Sequence, residues 1–466
     1  MKLLRNMISA RLLYCMWLFT LMSCNKFLDE KSESSFVTPN SLKDLQALLD
    51  NNYTINTNLA PGLLEMNTDD FYVTTAVFNG LTEFEKSLYI WDDEPQFLPA
   101  NNNVYWKNPF LAIFYANTVL DRLRKMEKIE DANYNYIKGS ALFFRAYTYY
   151  QMAQVYCSDF RKDNPEHNNI SLGMPLRLTP NFEEKSIRST LDETYRQILN
   201  DLEEALNLLP VRVDFSTRPS RTAALAMLAR VNLLMQNYDK ALEYAEKTLA
   251  VHNELMDYKS RNPNSTTPFE IMNPETIFLA YNTDLTILNA KRANIDSNLF
   301  GLYDDGDLRK TIFFNKKTDG TIGFKGNYAG FYNSSFFCGL AVDEIFLIKS
   351  ECLARKGELN MAKATLEVLL NKRFAKEYVF PSALKSQYEV LTYILQERRK
   401  ELIFRGVRVS DLKRLNRDQK FQKTLVRKIV RDGVEKSYTL PPNNLRYQIL
   451  IPQDVVQITG MLQNPR

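Results

Sequence analysis

The chain has 466 residues, with 59 Lys and Arg against 55 Asp and Glu; a formal charge of +4 implies no nucleic-acid or polyanion partner. It has only two histidines, His167 and His252, both in polar loop contexts, which nearly excludes a histidine general base or a histidine metal site. The surplus is aromatic, 25 Tyr, 28 Phe and 3 Trp; most must be core, yet so many tyrosines also suit a surface that binds by stacking.

Residues 1–23 read as a signal peptide. Lys2, Arg5 and Arg11 form a charged n-region, and the apolar run from Leu12 to Met22 is too short to span a bilayer. The run ends Leu21-Met22-Ser23-Cys24, the lipobox pattern in which the cysteine is acylated and becomes the mature N-terminus. Acyl chains contribute ~0.8 kcal/mol per buried CH₂, so Cys24 is expected to tether a soluble body to a membrane. The polar stretch 24–40 then reads as a flexible tether. With Cys15 in the signal and Cys24 lipidated, Cys157, Cys338 and Cys352 remain, an odd trio that reads as buried thiols.

From residue 41 onward the chain reads as mainly α, and its length alone would suggest two or three domains. Ser41 caps a helix carrying Leu42, Leu45, Leu48 and Leu49. Residues 51–103 are turn-rich and read as long loops on one face. Ile113, Ala116, Leu120 and Leu123 form the first amphipathic stripe, and the segment from Tyr136 to Tyr156 is apolar nearly all round, hence buried on several sides. Residues 161–185 read as a loop. Leu191, Tyr195, Ile198, Leu202, Ala205 and Leu209 step by fours and threes up to Pro210.

The clearest pattern spans residues 220–250. Ala224, Met227, Val231 and Leu234 make one stripe; after Gln236-Asn237 it restarts with Tyr238, Ala241, Leu242, Ala245 and Leu249. Small residues let the two helices approach closely, as in the second half of a tetratricopeptide repeat. A second copy lies 121 residues on, placing Ala224 on Ile345, Val231 on Cys352, Ala241 on Ala362 and Gln236 on Gly357. Helical repeats are therefore expected over about 106–250 and 343–373. Between them, residues 252–339 form a loop-rich insertion whose aromatics need burial or a ligand.

No P-loop, nucleophile elbow, zincin or dinucleotide motif occurs, and no cofactor or metal is expected. The pairs Asp69-Asp70, Asp92-Asp93 and Asp304-Asp305 read as solvated turns. Arg398-Arg399-Lys400 and Lys413-Arg414, interleaved with Glu397, Glu401 and Asp411, read as a salt-bridged helix.

In order, these pieces resemble the SusD/RagB family of outer-membrane lipoproteins of Bacteroidetes. The resemblance is carried by Cys24-x-x-Phe27-Leu28-Asp29, by Asn117-x-x-Leu120 after Trp106, and by Ala141, Arg145, Ala146 and Tyr147. The helices around Arg221 and Ala224 follow, then Glu344-Ile345 through Gly357. Glu397-Arg398-Arg399-x-Glu401-Leu402, Arg405-Gly406-x-Arg408, Asp411-Leu412-x-Arg414, Ile451-Pro452-Gln453 and Gln463-Asn464-Pro465 complete it. Val409-Ser410 departs where an aromatic is common.

The resemblance implies a single SusD-like domain of tetratricopeptide-like helical hairpins with long irregular loop insertions over residues 41–466. It also implies a cell-surface protein without a catalytic site, seated on a TonB-dependent (SusC-like) outer-membrane barrel and capturing oligosaccharides or, in some members, peptides. Because the family's ligand contacts follow no motif, the candidates come from physics. Sugar rings stack on flat aromatics while amides and carboxylates bond the hydroxyls. Trp91, Asn101, Asn102 and Asn103, with Tyr303, Tyr328, Phe331 and Tyr332 in the insertion, are expected as exposed ligand contacts. A scaffold binding only protein partners, and a carboxylate-dependent hydrolase with its acid/base pair ~5–9.5 Å apart, are the other readings.

Overall fold

The computed structural model describes residues 39–98, 103–126, 131–331 and 333–466. Cys24, the signal peptide, Asn101, Asn102 and Tyr332 lie outside the described residues. The helices that set the frame are α1 (Leu42–Leu49), α2 (Val104–Lys125), α3 (Ala132–Tyr156), α4 (Leu191–Leu208), α5 (Arg221–Leu234) and α6 (Tyr238–Val251). After the insertion come α7 (Val342–Arg355), α8 (Leu359–Leu370), α9 (Gln387–Glu401) and α10 (Arg408–Leu415). Helices α2 to α7 pack in series, each on the next, and α8 and α9 close against α7. The architecture is thus mainly α, as the periodicity predicts, and residues 42–466 form one compact unit.

The repeat holds at the level of single hydrogen bonds. Gln236 and Gly357, the turn residues 121 positions apart, both adopt positive φ, 60° and 85°. Asn237 N–H donates to the Asn232 carbonyl across the turn, 2.8 Å, and Glu358 N–H to that of Leu353 in the matching place, 2.9 Å. Ala224, Ile345, Val231, Cys352, Ala241 and Ala362 are all fully buried. Helix α3 is buried on every side from Gly139 to Tyr156, because α2 and α4 flank it.

The insertion is sewn to the frame rather than looped away from it. Strand β1 (Thr276–Phe278) pairs antiparallel with β2 (Leu340–Ala341) immediately before α7. A hairpin, β3 (Leu425–Arg431) and β4 (Val434–Leu440), turns at Asp432-Gly433, both at positive φ as a two-residue hairpin turn requires.

Two expectations are corrected. Residues 51–103 are not a face of long loops: Leu59 to Met66 are buried, and two short helices, Thr75–Asn79 and Glu83–Tyr89, begin on Thr caps. Nor is Asp69-Asp70 a solvated turn. Asp69 accepts from Arg408 at 2.8 Å and sits 3.1 Å from Arg399, while Asp70 accepts from Arg399 at 3.0 Å, all of them buried or nearly so.

The basic clusters form the expected pairs along their helices, Lys400 with Glu397 (2.8 Å) and Arg414 with Asp411 (2.9 Å), and further pairs between elements inside the core. Arg398 pairs with Asp411 (2.8 Å), Arg414 with Glu351 (2.5 Å) and Lys400 with Asp307 (3.0 Å). Cys157, Cys338 and Cys352 are buried free thiols. Among the described residues no helix is long and apolar enough to cross a membrane.

Candidate site on the loop face

Three of the aromatics expected at the surface are core residues. Trp91 is 3 % exposed, with its ring under the Arg427 guanidinium at 4.3 Å and its carbonyl accepting from Arg446 at 2.9 Å. Tyr303, 2 % exposed, donates its hydroxyl to the Lys400 carbonyl at 2.7 Å, with the Lys400 ammonium 5.3 Å from its ring. Tyr328, also 2 % exposed, donates to the Glu275 carboxylate, and Arg405 lies 4.3 Å from its ring. Each ring covers a buried cation, and that contact keeps it from the surface. Asn103 is 5 % exposed and donates to Asp454 at 3.2 Å, so it ties the start of α2 to the C-terminal helix Gln453–Thr459.

Phe331 is different. It is half-buried and packs on Tyr281 at 5.1 Å between ring centroids. The turn that carries it is held by Asn327, whose amide donates to the carbonyls of Phe331 (3.2 Å) and Ser335 (3.0 Å). The same side chain accepts from Ala329 N–H (3.0 Å) and Phe337 N–H (3.2 Å). Gly330 within the turn has φ +79°, and a Cβ there would stand 2.6 Å from Ile271 N, so no other residue fits without a shift.

Around Phe331 the structure gathers side chains from three distant stretches. Tyr281 N–H donates to Asn56 at 2.7 Å and Asn282 N–H to Phe336 at 3.0 Å, so residues 281–284 lie between the 51–60 segment and the Phe331 turn. The exposed Asp284 accepts from Ser334 through its carboxylate and from the Tyr105 hydroxyl through its carbonyl, 3.0 Å. One turn along α2 from Tyr105, Asn108 donates to Asn58 at 2.8 Å, and Asn58 donates to the Tyr53 carbonyl at 2.7 Å. Tyr53 itself is 82 % exposed. Phe84 stacks on Tyr105 at 6.1 Å and 13°, closing the edge.

Burial holds the Tyr281 and Tyr105 phenols neutral. Tyr281 is pushed up to about 12, and Tyr105 is raised by burial and then by the Glu85 and Asp284 carboxylates. Both hydroxyls are therefore donors at any physiological pH. The face offers one carboxylate, two amides and a hydroxyl beside two accessible rings. That set can hold a polyhydroxylated ring by its edge and cover it by its face. The sequence pointed to the Phe331 turn and the start of α2; it missed Tyr53, Asn58, Asn108 and Asp284. Asn and Asp near aromatics are the shared signal, but they recur all along this chain.

Helical hairpins in series carrying an amide- and aromatic-lined loop face are the architecture of a repeat-built binding protein. A family model described as starch-binding, associating with the outer membrane, matches residues 26–233, and that of the SusD family matches residues 343–464. The chain belongs to the SusD/RagB family, whose members are outer-membrane-associated binding proteins.

A putative sugar binding protein from Bacteroides vulgatus ATCC 8482 shares the fold with a TM-score of 0.74 at 21 % identity, over 92 % of this chain and 99 % of that one. A SusD-like carbohydrate binding protein from the same strain gives 0.67 at 22 %, over 90 % and 96 %. Surface glycan-binding protein A from Bacteroides fluxus gives 0.66 at 17 %, over 92 % and 100 %. No curated protein matches the chain.

Proposed function

We propose that this protein is a cell-surface lipoprotein that captures oligosaccharides on its loop face and passes them to a TonB-dependent outer-membrane transporter, without turning them over. The observation that carries the reading is the chain of contacts that links the stretches bearing Tyr53, Asn58, Asn108, Asp284 and Phe331 across the helical frame. The starch-binding description of the family model and the sugar-binding relatives support an oligosaccharide over a peptide. Phe331 stays among the proposed contacts, with Asn101, Asn102 and Tyr332 assigned from sequence alone; Trp91, Asn103, Tyr303 and Tyr328 leave it.

Calorimetric screening of oligosaccharides and peptides tests the ligand class. A stacking contact is worth on the order of 1 kcal/mol, so Tyr53→Ala with Phe331→Ala together should weaken binding roughly ten- to thirtyfold. Full affinity in the double variant rejects this face, and hydrolysis of the bound glycan rejects the binding-only reading. The lipobox supports attachment through Cys24; Cys24→Ser should release the protein from salt-washed outer membranes, and retention there rejects the anchor.

A further inference from the structure

A cavity of about 380 Å³, which shares no lining residue with the loop face, lies between residues 158–172, helix α10 and residues 443–448. Lys413 of α10 is part of its wall and is 6 % exposed. Its ammonium donates to the carbonyls of Gln154 (2.6 Å) and Cys157 (2.9 Å), at the C-terminal end of α3. The neighbouring cations Arg398, Lys400 and Arg414 each hold a carboxylate, and among the described residues Lys413 holds none. The helix end offers about half a negative charge, which offsets only part of the ammonium.

The rest of the wall adds positive charge. Asp159 is the one carboxylate among the described lining residues. It accepts from Arg161 at 3.0 Å and stands 3.7 Å from Arg417 Nε, which is buried without a hydrogen-bond acceptor among the described residues. Arg161 of the wall and Arg417 behind it thus share Asp159, and Lys413 has no carboxylate of its own among the described residues.

We propose that this cavity binds the carboxylate of an acidic sugar, a uronic acid, against Arg161 and Lys413. The volume is within the range of small-ligand sites and generous for a bare anion. Leu172, Leu445 and the buried Tyr447 supply apolar wall for a sugar ring. On the same segment as Arg161, His167 lies 3.5 Å from the Ser158 hydroxyl, 3.3 Å from that of Ser171 and 3.2 Å from the Asp159 carbonyl, contacts long enough to turn toward ring hydroxyls. Burial and the Arg161 charge lower the His167 pKa, so its imidazole can accept as well as donate.

This inference stands apart from the loop-face reading and is tested separately. The full chain is titrated calorimetrically with D-glucuronate, D-glucose and acetate. Glucuronate should bind, more weakly as salt rises, with glucose and acetate at least about tenfold weaker, and Arg161→Met should lose about tenfold. The Arg161 side chain bonds only Asp159 among the described residues, so that variant is expected to melt with the wild type; Lys413→Met, which also uncaps α3, is the second variant. Phe331→Ala should leave glucuronate binding unchanged. Equal affinity for glucose and glucuronate, or full glucuronate affinity in Arg161→Met, overturns the proposal.

Discussion

Glu65 shows how much a single carboxyl can weigh in this core. One oxygen accepts from Gly406 N–H at 2.7 Å, while the other is buried without a partner among the described residues. Burial, and then the nearby Asp70 charge, push its pKa from 4.5 to about 8. Between those two values the folded protein keeps a proton that the unfolded chain releases. Stability is therefore full below about pH 4.5, falls by up to ~1.4 kcal/mol per unit as pH rises, and levels off near pH 8. Glu65→Gln keeps the shape and the acceptor for Gly406 but cannot ionise. Its unfolding free energy should equal that of the wild type near pH 4.5 and exceed it at pH 8 by on the order of 4 kcal/mol. A difference that stays constant over that range contradicts the assignment.

The helical hairpins were legible in the sequence because their packing repeats with the helix period and leaves small residues at the seams. Ala241 and Ala362 are fully buried where α6 meets α5 and α8 meets α7. Ala241→Leu or Ala362→Leu inserts methylenes into those seams and should cost about 1–3 kcal/mol of stability while leaving ligand affinity intact. Melting curves check this, and two unchanged midpoints would argue against the close approach. Other elements were hidden for physical reasons. Residues 51–103 lack a period because short helices and turns bury their side chains through long-range contacts. The β3–β4 hairpin did carry a signal, Asp432-Gly433 between alternating strands, that the helical reading passed over. Tyr303 and Tyr328 were misplaced because a loop composition of Asn, Asp and Gly does not reveal which cation will fold over a ring. Those cations come from residues 400 and 405, about a hundred and about eighty positions along the chain.

At the scale of the whole molecule, the insertion is locked to the repeats by buried charge. Arg309, from the insertion, is fully buried and bonds Asp307 (2.7 Å), Glu397 (2.6 Å) and Glu401 (2.8 Å). Arg373, just beyond α8, joins Glu401 (2.6 Å) to Glu275 (2.8 Å), so the network crosses from α9 through the repeats and back into the insertion. Burial alone would raise the Asp307 carboxyl, yet Arg309 and Lys400 hold it below its usual range, and Glu401 is held low in the same way by Arg373 and Arg309. Such a network positions more than it stabilises, since an apolar replacement of the whole set can match it, but removing one member leaves charge stranded. Arg309→Met should therefore cost about 3–5 kcal/mol near neutral pH. With the guanidinium gone, three carboxylates share Lys400 and Arg373, and their folded pKa values rise above those of the unfolded chain. The deficit should then shrink as pH falls toward about 5 and the carboxylates take up protons, and adding Glu397→Gln should recover part of it at neutral pH. Melting temperatures of the wild type and both variants at about pH 5 and about pH 7.5 check the argument. A deficit independent of pH would mean that packing lost around the shorter side chain, and not stranded charge, sets the cost.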